Sequence, residues 1–234
     1  MAGLIERGRC LVLIPAYNAE AEIAEVVKKV RHQNFPVLVV DDGSSDNTAV
    51  KVMDLGVPVL VSEKNAGKGA ALRNGFEWFL NKDYQAVILM DADGQHDALE
   101  LDDFLKALNE NSADLVIGNR MTEPKGMPWI RRLTNRFLSA LLSWFSGWKI
   151  PDSQCGYRAI RREALKKMRF TSDHFEIESE MILEAAERGL HIRSVPIRSV
   201  YESHSSRIRP LKDTFRFFFF LIRRFFLKKA RRNA

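Results

Sequence analysis

Apolar and polar positions follow two different periods along the first half of the chain. Uninterrupted apolar runs stand at residues 10–14, 37–40, 57–61, 86–90 and 115–117. Runs this short, bounded by polar clusters, predict strands buried on both faces. Between them the apolar residues recur every three or four positions. The clearest case is 20–32, where Ile23, Val26, Val27 and Val30 share one face of a predicted helix. Further helices are predicted after a cap at Ser45 or Asp46, over 67–80 and over 99–108. Strands and helices in alternation predict an α/β fold, with a mostly parallel, Rossmann-like sheet and helices on both faces.

The second half changes character. Residues 129–148 carry Ile130, Leu133, Phe137, Leu141, Trp144, Phe145 and Trp148 at spacings of a helix, with Arg131, Arg132, Asn135 and Arg136 between them. That pattern predicts an amphipathic, aromatic-rich helix. A polar loop at 152–158, a helix over 176–188 and a short strand over 192–197 follow. The chain closes with a second amphipathic helix predicted over 213–229. Phe215, Phe218, Phe219, Ile222, Phe225 and Phe226 fall on one side of it, and Arg216, Arg223, Arg224, Lys228 and Arg231 on another. The longest uninterrupted apolar stretch there, 217–222, is far below the roughly 18–20 residues that span a bilayer.

Charge sharpens the division. The formal net charge is +6, yet from Arg207 onward ten Lys/Arg stand against one acid, Asp213, which leaves the rest of the chain acidic. The basicity therefore belongs to one end and predicts a polyanionic surface met by that end. A continuous phenylalanine face favours an anionic membrane over nucleic acid. Packing of that face on the protein's own core is the alternative. Two cysteines form no disulfide framework and suit a reducing compartment. The first nine residues lack the apolar centre of a signal peptide, so a cytoplasmic protein is expected.

Candidate chemistry gathers behind the predicted strands. The run ending at Met90 continues as Asp91, Ala92, Asp93, Gly94, Gln95, His96. Two carboxylates this close repel each other unless a cation lies between them. In α/β proteins the carboxyl ends of strands are also where ligands bind. The first strand ends in Pro15, Ala16, Tyr17 and Asn18, and the second in Asp41, Asp42, Gly43 and Ser44. A planar slot of this kind, with Asp41 or Asp42 accepting a ring N–H, suits a nucleotide base. Gly67, Lys68 and Gly69 open the helix after the third strand, where free N–H groups and Lys68 would meet a phosphate.

These motifs, in this order, resemble the family 2 glycosyltransferases of GT-A fold, and among them the dolichol- and polyprenyl-phosphate sugar synthases. The resemblance runs from about residue 10 to 213. It implies a domain over 1–212, with a nucleotide-sugar half at about 9–120 and an acceptor half at about 121–212, followed by a membrane-interface tail over 213–234. It also implies Mg²⁺ or Mn²⁺ on Asp91, Asp93 and Gln95, against the diphosphate of a donor bound by Pro15, Ala16, Tyr17, Asp41, Asp42, Lys68, Ala92, Gln154 and Arg207. Arg120 and either Arg131 or Arg132 match phosphate-binding positions. Of Glu176, Glu178 and Glu180, the last two lie near the site by resemblance, with Glu180 in a catalytic place. Where the family often has Glu after Asn18, this chain has Ala19, and Gly-x-Ser-Lys is replaced by His204, Ser205, Ser206 and Arg207.

The expected activity is metal-dependent, inverting transfer of a sugar from a nucleotide-diphosphate donor to a lipid phosphate at the cytoplasmic membrane face. A phosphate acceptor is already an anionic nucleophile, which agrees with the lack of a clear Glu-Asp base pair. Transfer to a sugar hydroxyl, or a non-catalytic nucleotide-sugar or membrane-binding role, are the competing expectations.

Overall fold

The computed structural model describes residues 4–110, 113–124 and 126–198, together with Phe220 and Arg224. The chain divides into two compact units, Met1–Glu202 and Ser203–Ala234. The architecture below is that of the first. Arg207 and the tail expected over 213–234 lie outside the described residues, apart from the helical positions Phe220 and Arg224.

A short 3-10 turn, Arg7–Arg9, leads into β1 (Cys10–Ala16), α1 (Ile23–His32), β2 (Val37–Asp41), α2 (Thr48–Met53), β3 (Val59–Val61), α3 (Lys68–Leu80) and β4 (Ala86–Leu89). The 3-10 turn Ala98–Glu100 precedes α4 (Leu101–Glu110) and β5 (Leu115–Asn119). Then come α5 (Trp129–Ser146), β6 (Arg158–Arg161), α6 (Arg162–Leu165), α7 (Glu176–Glu187) and β7 (Ile192–Pro196). The strands form one seven-stranded sheet in the order β3-β2-β1-β4-β6-β5-β7. The pairs β1–β2, β1–β4, β2–β3 and β5–β7 are parallel. The mostly parallel α/β sheet is thus as the alternation of periods predicts.

Burial explains the strand sequences. Leu11, Val12, Leu13 and Ile14 of β1 and Val87 and Ile88 of β4 are fully buried, so both faces of these strands must be apolar. From β1 the chain builds outward to β2 and β3, then returns to place β4 on the other side of β1. That reversal makes a crevice at the carboxyl ends of β1 and β4, the place where open α/β sheets take ligands.

Strand β6 departs from the sequence reading, which has a polar loop over 152–158 and no strand behind it. It runs antiparallel between β4 and β5. Its sequence, Arg-Ala-Ile-Arg, has no periodic signal. Pairing on both edges forms it, and its arginines are satisfied by backbone. Arg158 donates to the carbonyls of Cys155 and Ser153 at 2.8 Å each and to that of Glu178.

The amphipathic helix α5 forms as predicted and ends at Gly147, in the left-handed conformation at φ 73°. Its inward side is the one that carries the polar pair Asn135 and Ser139. Asn135, Leu138, Ser139 and Leu142 are buried, while Trp129, Ile130, Leu133, Phe137 and Trp144 are 57–75% exposed. The aromatic stripe faces away from the protein's core.

Candidate active site

The turn after β4 sets out the two predicted carboxylates differently. The Asp91 N–H donates to His96 Nδ1 at 3.2 Å, and His96 stacks on Tyr157 with ring centroids 4.8 Å apart. A ring nitrogen that accepts a backbone N–H is not free for a metal, so His96 orients the turn. Asp93, two residues on, is exposed, and its Oδ1 accepts the Gln95 N–H at 3.0 Å. Ala92, between the two acids, is buried. Burial acts to raise the Asp91 pKa; the ammonium of Lys68, which also hydrogen-bonds the carboxylate, overcomes it and holds the group down at about 2. Asp91 is therefore ionised at neutral pH.

Lys68 is the reason. As first residue of α3, it places Nζ 2.5 Å from Asp91 Oδ1 and 2.8 Å from Glu178 Oε1 on α7. Burial acts to lower its pKa, and the two carboxylates outweigh that, so the ammonium stays protonated beyond the ordinary lysine range. Helix α3 begins abruptly at Gly67, whose φ of 104° favours glycine. A Cβ there would run into the Asp173 carbonyl and the His174 ring. The N–H groups of Gly69 and Ala70, expected to face a phosphate, donate instead to Asp173 O at 2.7 and 3.1 Å.

Glu180 serves the same loop. Its carboxylate accepts from the Thr171 hydroxyl at 2.9 Å and from the N–H groups of Thr171 and Ser172 at 3.0–3.1 Å. It thus fixes the segment that caps α3. Gly156 occupies the opposite wall. A Cβ on it would lie 2.5 Å from Asp91 Oδ2 and 2.8 Å from Lys68 Nζ, so only glycine leaves that space open. Gln154, in the same loop, is half-buried, with Nε2 3.4 Å from Ser153 Oγ.

At the ends of β1 and β2 the structure separates the two candidate acids. Asp42 accepts from the Ala66 and Gly67 N–H groups at 3.0 and 2.7 Å, tying the β2 turn to the start of α3. Asp41 accepts the Ser44 N–H at 2.7 Å on Oδ1, while its Oδ2 is buried with no hydrogen-bond partner among the described residues. An orphaned carboxylate oxygen is costly to bury and marks the place for an N–H donor. Pro15, buried Ala16 and Tyr17 (39% exposed) lead away from the neighbouring strand end, in register with Asp41 through the pair Ala16–Asp41. Asn18 Oδ1 accepts the Ser45 N–H at 2.8 Å and joins the two turns. Ala19 gives its N–H to Thr48 Oγ1, and Glu20 accepts that of Asn47, both at 2.8 Å.

Arg120 is more deeply engaged than a surface phosphate ligand. It is 5% exposed, and its backbone N–H, Nε and Nη2 donate to Asp152 at 3.0, 2.8 and 2.9 Å. Asn135 Nδ2 also donates to Asp152 at 2.8 Å, and Ser139 joins Asn135 to Ser153. Asp152, Asn135 and Ser139 were not singled out by sequence. The polar stripe Asn135–Ser139 on α5, four residues apart, is the signal that points to them. Arg131 and Arg132 lie half-buried near the start of α5.

The donor set fits a hard divalent cation. Asp91, Asp93 and Gln95 offer oxygen only, Asp91 is ionised, and Gly156 keeps the space beside it clear. Among the described residues no group of three or more His, Cys, Asp or Glu forms a metal cage. Two carboxylates suffice where substrate phosphates complete the coordination, as is usual for Mg²⁺.

Residues 11–169 match the pattern of Glycosyl transferase family 2. The chain is 34% identical over 203 residues to polyprenol monophosphomannose synthase of Mycolicibacterium smegmatis, covering 81% of this chain and 76% of that protein. It is 30% identical over 217 residues to UDP-N-acetylglucosamine–dolichyl-phosphate N-acetylglucosaminyltransferase of Methanococcus voltae, covering 83% and 86%. The fold matches glucosyl-3-phosphoglycerate synthase from Mycobacterium tuberculosis, solved with Mn²⁺, UDP and phosphoglyceric acid. There the TM-score is 0.71 at 21% identity, over 90% of this chain and 74% of that one.

Proposed function

The chain belongs to glycosyltransferase family 2, and on that premise we propose that it moves one sugar from a nucleotide-diphosphate donor onto a polyprenyl or dolichyl phosphate. Asp91 and Asp93, with Gln95 as a further oxygen ligand, would hold Mg²⁺ or Mn²⁺, which when bound neutralises charge building on the departing diphosphate. Asp41, through its free Oδ2, accepts a ring N–H of the base, and Pro15, Ala16 and Tyr17 wall the slot. Lys68 faces the diphosphate. Asp42, Glu180, Gln154 and Ala92 shape the surrounding turns, and Arg120 acts through Asp152 to set the loop that carries Gly156. Arg207, outside the described residues, stays a candidate phosphate ligand by its place in the sequence.

The reaction needs no base. A lipid-phosphate oxygen attacks the anomeric carbon, the bond from that carbon to the diphosphate oxygen breaks, and a single displacement inverts the centre. Arg131 steadies the attacking phosphate.

The observation that carries the acceptor assignment is α5. It presents its first arginines beside an apolar stripe turned away from the core, which suits an acceptor with a charged head and a long lipid tail. No helix among the described residues is long and apolar enough to cross a membrane. The proposed location is the cytoplasmic membrane surface, on the strength of the outward apolar stripe of α5.

GDP-mannose, UDP-glucose and UDP-N-acetylglucosamine, each offered with a short prenyl phosphate and Mn²⁺, test the reading. One donor should yield a sugar-phosphoryl lipid, and EDTA or Asp93→Ala should abolish it. Transfer to a soluble saccharide in place of the prenyl phosphate would overturn the acceptor. Transfer indifferent to EDTA and to Asp93→Ala would overturn the metal.

A further inference from the structure

An ammonium group already holds one oxygen of a carboxylate that the proposed cation needs. Lys68 Nζ is 2.5 Å from Asp91 Oδ1, and the two side chains are only 13% and 27% exposed. Lysine and a divalent cation compete for the same carboxylate, and screening by water is too weak there to make the competition trivial. The lysine has a second partner. Glu178 Oε1 lies 2.8 Å from Nζ, with Glu178 8% exposed. The Phe175 ring adds a weaker contact, its centroid 5.8 Å from Nζ. When Asp91 is taken by another cation, Lys68 keeps a counter-charge. Without Glu178 the same exchange would strand a buried ammonium, which is strongly unfavourable.

We propose that Lys68 is a displaceable stand-in for the divalent cation, holding Asp91 in the free enzyme and passing to Glu178 as the cation arrives. The free enzyme then binds the cation weakly and takes it up together with the donor, whose diphosphate supplies further oxygen ligands and negative charge for both cations. This inference rests on the reading that Asp91 and Asp93 hold the metal. Lys68 and Glu178 are positioning residues in this scheme, with an effect on metal binding that precedes any turnover.

The test titrates Mn²⁺ alone into the full chain and follows the free ion by electron paramagnetic resonance. Lys68→Met should bind Mn²⁺ about tenfold more tightly than the parent, and Glu178→Gln about threefold more weakly. Removing any nearby charge would give the same two signs, so the double variant decides between the explanations. If Glu178 acts through Lys68, Glu178→Gln has no effect once Lys68 is Met. Additive effects mean a long-range influence of charge and overturn the proposal. Lys68→Gln, which keeps a hydrogen-bond donor between the carboxylates, repeats the measurement should Lys68→Met fold poorly. No tightening in either lysine variant, with Asp93→Asn still weakening Mn²⁺, overturns the proposal and leaves the metal site standing. Mn²⁺ binding indifferent to Asp93→Asn in every background removes the metal site and the proposal with it.

Discussion

Glu100 shows how a single residue can set a pH dependence. It closes the 3-10 turn before α4. Its Oε1 accepts the Arg198 N–H at 2.5 Å, while Oε2 is buried with no hydrogen-bond partner among the described residues. Burial, aided by the charges of Asp97 and Asp103, pushes its pKa up to about 7. The folded protein therefore prefers the neutral carboxyl. Its contribution to stability is whole below the unfolded value near 4.5 and is lost as pH rises through about 7. Glu100→Gln is neutral at every pH and should stabilise the protein at about pH 8. The side chain is half exposed, so solvent screening discounts the gain to about 1 kcal/mol, or roughly 2–4 °C in Tm. By about pH 4.5 the two melting curves should coincide. A pH-independent difference, or a lower Tm for the variant at alkaline pH, would contradict the assignment.

Elements are joined at the site by ion pairs that bridge long stretches of chain. The Arg120–Asp152 pair links the end of β5 to the loop before β6, and Asn135 ties α5 to the same carboxylate. Burial acts to raise the Asp152 pKa, but hydrogen bonds and charge from Arg120 keep it below the usual carboxylate range. Breaking a buried pair by removing one member costs about 3–5 kcal/mol, because the other charge is stranded. Arg120→Met and Asp152→Leu should each lower denaturation stability by that order. The double variant should lose less than either alone, since no charge is left unpaired. Single variants within about 1 kcal/mol of the parent would show that the pair does not hold these elements together. Such links explain which elements the sequence makes legible. Strands β1, β2 and β4 are readable because burial on both faces demands continuous apolar runs. The Asp91–Asp93 turn is readable because adjacent carboxylates carry their own chemical logic. Strand β6 is not, because its arginines are satisfied by carbonyls brought from other parts of the chain. Nor is the contact of Lys68 with Glu178, 110 positions away, or which of Asp41 and Asp42 keeps a carboxylate oxygen unpartnered among the described residues.

Across the whole molecule, the periodicity of α5 establishes two faces without saying which meets protein. The structure answers with Asn135 and Ser139 inside and Trp129, Ile130, Leu133, Phe137 and Trp144 outside. An outward stripe of this size favours a surface that is itself apolar. The basic end of the sequence, with ten Lys/Arg from Arg207 onward, favours one that is anionic. An anionic bilayer offers both, and the two contributions separate by experiment. Each large apolar side chain taken from water is worth about 1.5–3 kcal/mol, with little dependence on salt. Each basic residue near anionic lipid adds about 1 kcal/mol and loses it as salt screens the surface. Replacing Trp129, Phe137 and Trp144 together by Ser should therefore weaken co-sedimentation with vesicles by at least about tenfold at high salt. The exposed positions make little demand on the core, so Tm should hardly move. At low salt the variant should retain part of its binding to anionic vesicles and almost none to neutral ones, leaving the basic end as the remaining anchor. A parent protein that ignores vesicles, or a triple variant that binds them unchanged at high salt, would exclude α5 from the membrane and with it the path proposed for the lipid acceptor.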